Sequence, residues 1–190
     1  MKTFREYFED GEHLRDYERV AILAGGFKPP HKGHLEMFNG LLGDADRGVI
    51  FIGKKQDREG REWITPEASK AIWEIYTQGG KPVEVHIAPI SPVKSTYDYV
   101  DENPNANIII GAGPGDAARN KGFENEEKYP NVSIKNVVKP LGGGIRASKL
   151  APLLKDGKIK EAVEKFVPDF IEGTNRDAVI DILQKDWDNR

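Results

Sequence analysis

The residues best suited to chemistry lie in the segment Gly25-Gly26-Phe27-Lys28-Pro29-Pro30-His31-Lys32-Gly33-His34. Gly25 and Gly26 allow the backbone to approach a ligand closely. Phe27 can anchor the turn in a core, and the two prolines stiffen the loop. His31 and His34 are three residues apart, so the first turn of a helix would aim both rings to one side. Gly33 between them leaves room for a phosphate, and a helix N-terminus offers unpaired amides with a positive dipole end. Together these features point to anion binding. Histidines alone would as readily decorate a solvated helix end. A zinc site is a poor reading, because the chain has no cysteine and no suitably placed third ligand.

Two further segments carry anion-binding groups. Gly143-Gly144-Ile145-Arg146-Ala147-Ser148-Lys149-Leu150 leaves a glycine run for a helix. Ser148 can cap that helix or bond a phosphate, while Arg146 and Lys149 add positive charge. Lys54 and Lys55 follow the second predicted strand and would emerge from the same sheet edge, as candidates for a phosphorylated acceptor. A solvated charge run with Asp57, Arg58, Glu59 and Arg61 is an equally good account of them. Lys94, in Ser91-Pro92-Val93-Lys94-Ser95, is a third acceptor-side candidate.

The elements that must position these groups alternate between short β-rich runs and amphipathic stretches, the pattern of a parallel α/β sheet. Strands are expected at Arg19 to Ala24, Gly48 to Gly53, Val83 to Ala88, Asn107 to Ile110 and Val132 to Val138. Helices are expected at Gly33 to Leu42, from Thr65-Pro66-Glu67 onward, at Lys94 to Asp101, and along a tail containing Ile159 to Phe166 and Arg176 to Trp187. In such a sheet the carboxyl end of the first strand is where ligands bind. The 190 residues suit one domain, with a core at about 19–155 and a helical C-terminal extension at about 156–190.

Composition narrows the classes further. With 38% hydrophobic and 31% charged residues, the chain reads as an ordinary globular protein. A net charge of -3 gives no basic field for nucleic acid. No apolar run suits a signal peptide or a membrane span, so a cytoplasmic protein is expected. Self-association is left open.

The first segment resembles the G-[ST]-F-[DN]-P-x-[HT]-x-G-H motif of the nucleotidyltransferase (cytidylyltransferase-like) superfamily. Gly25, Phe27, Pro29, His31, Gly33 and His34 match it; Gly26 replaces a small hydroxyl residue and Lys28 replaces Asp or Asn. Ile145 to Ala151 resembles the family's I-S-[SGA]-T-x-[VI]-R element, with Ser148 for Thr, Arg146 at the first Ser and Ala151 at the closing Arg. The resemblance implies a Rossmann-like fold and transfer of a nucleotidyl group to a phosphorylated acceptor, with release of pyrophosphate. It casts His31 and His34 as donors to the α- and β-phosphate oxygens, and Arg146 as displaced positive charge for the triphosphate. It also implies a nucleotide pocket at Gly111, with Asp116 and Arg119 close by, and Mg2+ carried by the triphosphate. Adenylyl transfer from ATP to a phosphorylated metabolite is the first expectation. Cytidylyl transfer from CTP ranks second, because the R-T-E-G-I-S-T type signature is not intact. A nucleotide-binding regulator without catalysis is the non-enzymatic alternative.

Overall fold

The computed structural model describes residues 18–57, 59–112, 117–136 and 147–190. Asp116 and Arg146 therefore lie outside the described residues. Five parallel strands form one sheet in the order β3-β2-β1-β4-β5. They are β1 (Arg19–Gly25), β2 (Arg47–Ile52), β3 (Val83–Ile87), β4 (Asn107–Ala112) and β5 (Val132–Asn136). This is the expected parallel α/β architecture of Rossmann type. The order runs outward from β1 in both directions, so the β1/β4 boundary is the switch point at which a crevice opens beyond the strand ends.

Each buried strand sends alternate side chains to opposite layers. Val20 and Ile22 of β1 join Val49, Phe51, Ile108 and Ile110 in one cluster, closed by Val100, Phe123 and Tyr129. Ala21 and Leu23 join Ile50, Ile52 and Val85 in the other. That second layer holds α1 (Lys32–Leu42) and α2 (Pro66–Tyr76), which contribute Leu35, Phe38, Leu41, Ile72 and Trp73. It also receives the C-terminal helices α5 (Ala147–Lys155), α6 (Ile159–Phe166) and α7 (Gly173–Asp188), through Leu154, Phe166, Val179 and Leu183. No described helix is long and apolar enough to cross a membrane.

Local chemistry explains where the elements begin. The Thr65 hydroxyl accepts the Ala68 amide at 3.0 Å, and Pro66 occupies the first turn of α2, as expected. The same device starts α3 (Pro92–Glu102) two residues earlier than the expected Lys94: Ser91 Oγ accepts the Lys94 amide at 3.1 Å and Pro92 takes the first turn. The short α4 (Ala117–Asn120) and a 3-10 turn (Lys121–Glu124) follow β4. Helix α5 is described from Ala147 onward.

Gly111 has a packing role that its place in a glycine-rich turn concealed. A Cβ there would collide with Leu41 Cδ1 and lie 3.2 Å from Leu23 Cδ1. Leu41 is fully buried and has no room to retreat. The missing side chain lets α1 sit close over β4. Gly111→Ala is expected to lower stability by about 1–3 kcal/mol through overpacking, seen as a lower urea midpoint at unchanged slope; an unaltered midpoint would contradict the packing role.

Candidate active site

The β1–α1 loop holds Phe27 at a φ of 46°, and the Lys28–Pro29 peptide that follows is cis. A bulky residue in the left-handed region costs free energy and persists only where packing enforces it. Here the enforcement is visible: the Phe27 ring sits edge-on to Trp73 at 5.3 Å and to His34 at 5.0 Å. The buried Tyr76 hydroxyl donates to the Pro30 carbonyl at 3.4 Å.

His31 caps α1 with extended backbone, and His34 stands at its third position. Their rings stack at 3.6 Å with 19° between planes. The His31 amide donates to His34 Nδ1 at 3.3 Å. Since Nδ1 accepts, a neutral His34 carries its proton on Nε2 and can donate it to a ligand. Burial, followed by the charge of Arg61, lowers the His31 pKa to about 4. Burial, then His31 and Arg61, hold His34 well below the usual histidine range. Both rings are thus neutral near pH 7. His31 Nδ1 is buried with no hydrogen-bond partner among the described residues.

A cleft of about 270 Å³, lined in part by Lys28 of the same loop, opens at the carboxyl ends of β1, β2 and β4. Gly25, Gly26 and Lys28 form one wall, and Gly53, Lys54, Lys55 and Asp57 another. The first turn of α3 closes it with Ile90, Ser91, Pro92 and Val93, and Ile110, Gly111, Arg119 and Asn120 complete the lining. Lys28, Lys54, Lys55 and Arg119 face this space with Asp57 as the lining carboxylate among the described residues. The balance is cationic although the whole chain is slightly acidic, and it favours an anionic ligand.

Lys28 is the unusual cation, only 4% exposed. Its Nζ donates to the Ile64 carbonyl at 3.1 Å, and Arg61 Nη1 donates to the Lys28 carbonyl at 3.1 Å. Burial lowers the Lys28 pKa to about 8, against the opposing pull of Glu67 and Asp186. It remains largely protonated at pH 7.

The expected site residues separate into groups. Gly25, Gly26, Lys28, Lys54, Lys55, Gly111 and Arg119 line the cleft. Phe27 and Gly33 are buried supports behind it. His31 and His34 follow the lining Lys28 in the same loop and are not themselves part of the lining. Lys94, expected on the acceptor side, does not line the cleft. Its Nζ pairs instead with Asp98 at 2.6 and 2.7 Å, one helical turn along α3. Lys149 is exposed on α5 and does not line this cleft, and Ser148 lies in the described part of that helix. The chain leaves β4 and β5 into 113–116 and 137–146, which include Asp116 and Arg146 and lie outside the described residues.

Arg61 and Asn120 were missed. Arg61 looked like part of a solvated charge run, yet Trp63 and Ile64 just after it signal a loop returning to the core. Asn120 is 8% exposed and lines the cleft; no local motif marks it. Among the described residues, no group of three His, Cys, Asp or Glu side chains could hold a metal ion.

No family model matches the chain, and no curated protein matches it. Solved structures share its fold. One is a bifunctional NMN adenylyltransferase/ADP-ribose pyrophosphatase from Francisella tularensis, complexed with AMP and a manganese ion. It aligns at a TM-score of 0.54 and 14% identity over 86% of this chain, which spans 52% of that protein's length. Another, described as a nicotinate-nucleotide adenylyltransferase from Vibrio parahaemolyticus, aligns at 0.55 and 17% identity over 86% of this chain and 99% of its own. The fold is therefore one found in nucleotide adenylyltransferases.

The histidine environment has a measurable signature. A histidine whose folded pKa lies below its unfolded value costs stability as pH falls, because the unfolded chain takes up the proton first. For His31 the loss begins near pH 6.5 and continues to about 4. At about 1.4 kcal/mol per pH unit, this one group should remove about 2 kcal/mol between pH 7 and pH 5. Urea unfolding at both pH values should show a smaller loss for His31→Gln than for the wild type by about that amount. Equal losses would mean that the ring is not held neutral.

Proposed function

We propose that the chain transfers an adenylyl group from ATP to a phosphorylated small metabolite and releases pyrophosphate. The observation that carries this reading lies at the sheet's switch point: a stacked, neutral histidine pair at the start of α1, on the same β1–α1 segment whose Gly25, Gly26 and Lys28 line a cleft rich in lysine. Phosphoryl-type transfer needs positioning and stabilisation of charge on phosphate oxygens more than it needs a covalent nucleophile. The groups present suit that demand.

In this reading the triphosphate lies along the Gly25–Gly26 turn against the first-turn amides of Lys32 and Gly33. An acceptor phosphate oxygen attacks the α-phosphorus, the bond from that phosphorus to the β-bridging oxygen breaks, and the electron pair leaves with pyrophosphate. His34 donates from Nε2 to the phosphate oxygens without giving up its proton, and His31 supports it by stacking. The Lys28 ammonium, already desolvated, offsets charge on the phosphates at the cleft wall. Lys54 and Lys55 hold the acceptor's phosphate at the opposite wall, and Arg119 and Asn120 approach the nucleoside beside Gly111. A divalent cation fits as a passenger of the triphosphate, held mainly by phosphate oxygens and water, with Asp57 as the carboxylate nearest to hand in the cleft. Such an ion would neutralise phosphate charge and favour the leaving group.

ATP is preferred over CTP because the structures that share the fold are described as adenylyltransferases. Those proteins are named for NMN and for nicotinate nucleotide, and the phosphate of a nucleotide acceptor would match the lysine wall.

The test is pyrophosphate release with ATP or CTP against a panel of phosphorylated metabolites. Turnover with ATP is expected, and His34→Ala should lower kcat/KM by about a hundredfold, the usual scale for one lost oxyanion donor. Nucleotide binding without turnover across the panel would replace catalysis by a regulatory role, and turnover with CTP alone would reassign the nucleotide.

A further inference from the structure

The C-terminal helix α7 bonds through Asp186 to the segment that holds Lys28. Asp186 Oδ2 accepts both the Thr65 amide at 2.7 Å and the Thr65 hydroxyl at 2.8 Å, across 121 residues of sequence. Thr65 in turn starts α2, and the residue before it, Ile64, supplies the carbonyl that holds Lys28 Nζ. The same stretch is clamped from several sides. Trp63 stands edge-on to Trp187 at 5.3 Å, and Arg190 lies 3.3 Å over the Trp187 ring. Gln56 Nε2 donates to the Glu62 carbonyl at 2.8 Å. Arg61 closes the circle by donating to the Lys28 carbonyl.

We propose that Asp186 is a positioning residue for this site: by gripping Thr65 it fixes the Ile64 carbonyl that holds Lys28 Nζ in the cleft wall. The assignment rests on the reading of the cleft as a nucleotide site for its functional meaning, but not for its structural content. A helix cap alone does not require a carboxylate, since Ser91 caps α3 through its own hydroxyl and Thr65 likewise caps α2. The added carboxylate gives a doubly bonded Thr65 and a negative charge that favours the protonated form of a lysine nearly out of solvent. Burying an ammonium is costly without such compensation.

The charged surroundings of Lys28 can be named by element. Glu67 comes from α2 and Asp186 from α7, and both favour its protonated form. Arg61 meets its carbonyl from the loop, Lys54, Lys55, Asp57 and Arg119 share its cleft, and the neutral His31 and His34 follow it in α1. Of the two acids, Asp186 alone is also bonded to the segment that carries the Ile64 carbonyl.

The test compares Asp186→Asn with Thr65→Val in the full chain. The asparagine keeps an oxygen that can accept from Thr65 while losing the charge; the valine keeps the charge and loses the hydroxyl. Two quantities are read: the titration of the Lys28 ammonium by side-chain NMR, assigned with Lys28→Arg, and the affinity for MgATP at pH 6.5 and pH 8. For Asp186→Asn, Lys28 should lose its proton earlier by about half a pH unit or more. MgATP affinity should fall about twofold or more at pH 8 and recover toward wild type at pH 6.5, where Lys28 is protonated in both proteins. Thr65→Val should leave the Lys28 titration near wild type, and Asp186→Glu should restore part of the loss. An Asp186→Asn protein that is less stable yet titrates Lys28 as before would overturn the proposal, as would a Thr65→Val shift equal to that of Asp186→Asn. If the wild type binds no ATP, the nucleotide reading fails while the NMR comparison still decides the role of Asp186.

Discussion

A single buried ammonium organises the candidate site. Lys28 leaves the β1–α1 loop and places its charge against the Ile64 carbonyl, with 4% of its surface exposed. An unpaired charge at that depth would be severely destabilising, so the carbonyl, Glu67 and Asp186 must all be brought to it. Meeting that requirement ties the loop after β2 to the loop after β1 through Lys28 and Arg61, and Thr65 ties the former to α7. The cleft is the space left between the two loops and the first turn of α3.

The histidines answer the same constraint from the other side. Arg61, which bonds the Lys28 carbonyl, also presses on His31 and His34 and disfavours their charged forms. Two imidazolium rings stacked at 3.6 Å would repel strongly, whereas two neutral rings stack without that cost. The site therefore divides its labour. Fixed cations lie on the cleft walls, and neutral donors stand at the helix N-terminus. A phosphate chain has uses for both: charge along its length, and short directed hydrogen bonds where negative charge grows.

Much of this was legible in the sequence, for identifiable reasons. The β1–α1 segment could be read because glycine, proline and histidine at short range impose local geometry, and α2 because Thr65, Pro66 and Glu67 mark a helix start within three residues. The α6 bounds, Ile159–Phe166, follow from apolar periodicity on a short helix. Lys94, the candidate for the acceptor side, sits in the first turn of α3 and pairs with Asp98 one turn further along, a contact that the i, i+4 spacing permits without requiring. Arg61 and Asp186 were beyond reach for a different reason. Each acts through a tertiary contact, one across a loop and one across 121 residues, and nothing in either neighbourhood encodes the partner. Gly111 shows the converse case, where a residue read only as part of a ligand turn also makes room for Leu41.

If the proposed function holds, the triphosphate is received at the switch point between β1 and β4, between the first turn of α1 and the lysine walls. A crystal structure with a non-hydrolysable ATP analogue and Mg2+ would show whether it is. The α- and β-phosphates should lie against the Lys32 and Gly33 amides, with His34 Nε2 within hydrogen-bond distance of a phosphate oxygen and Lys28 facing the same phosphates. Phosphates bound away from the β1–α1 loop, or a nucleotide seated elsewhere on the fold, would refute the assignment.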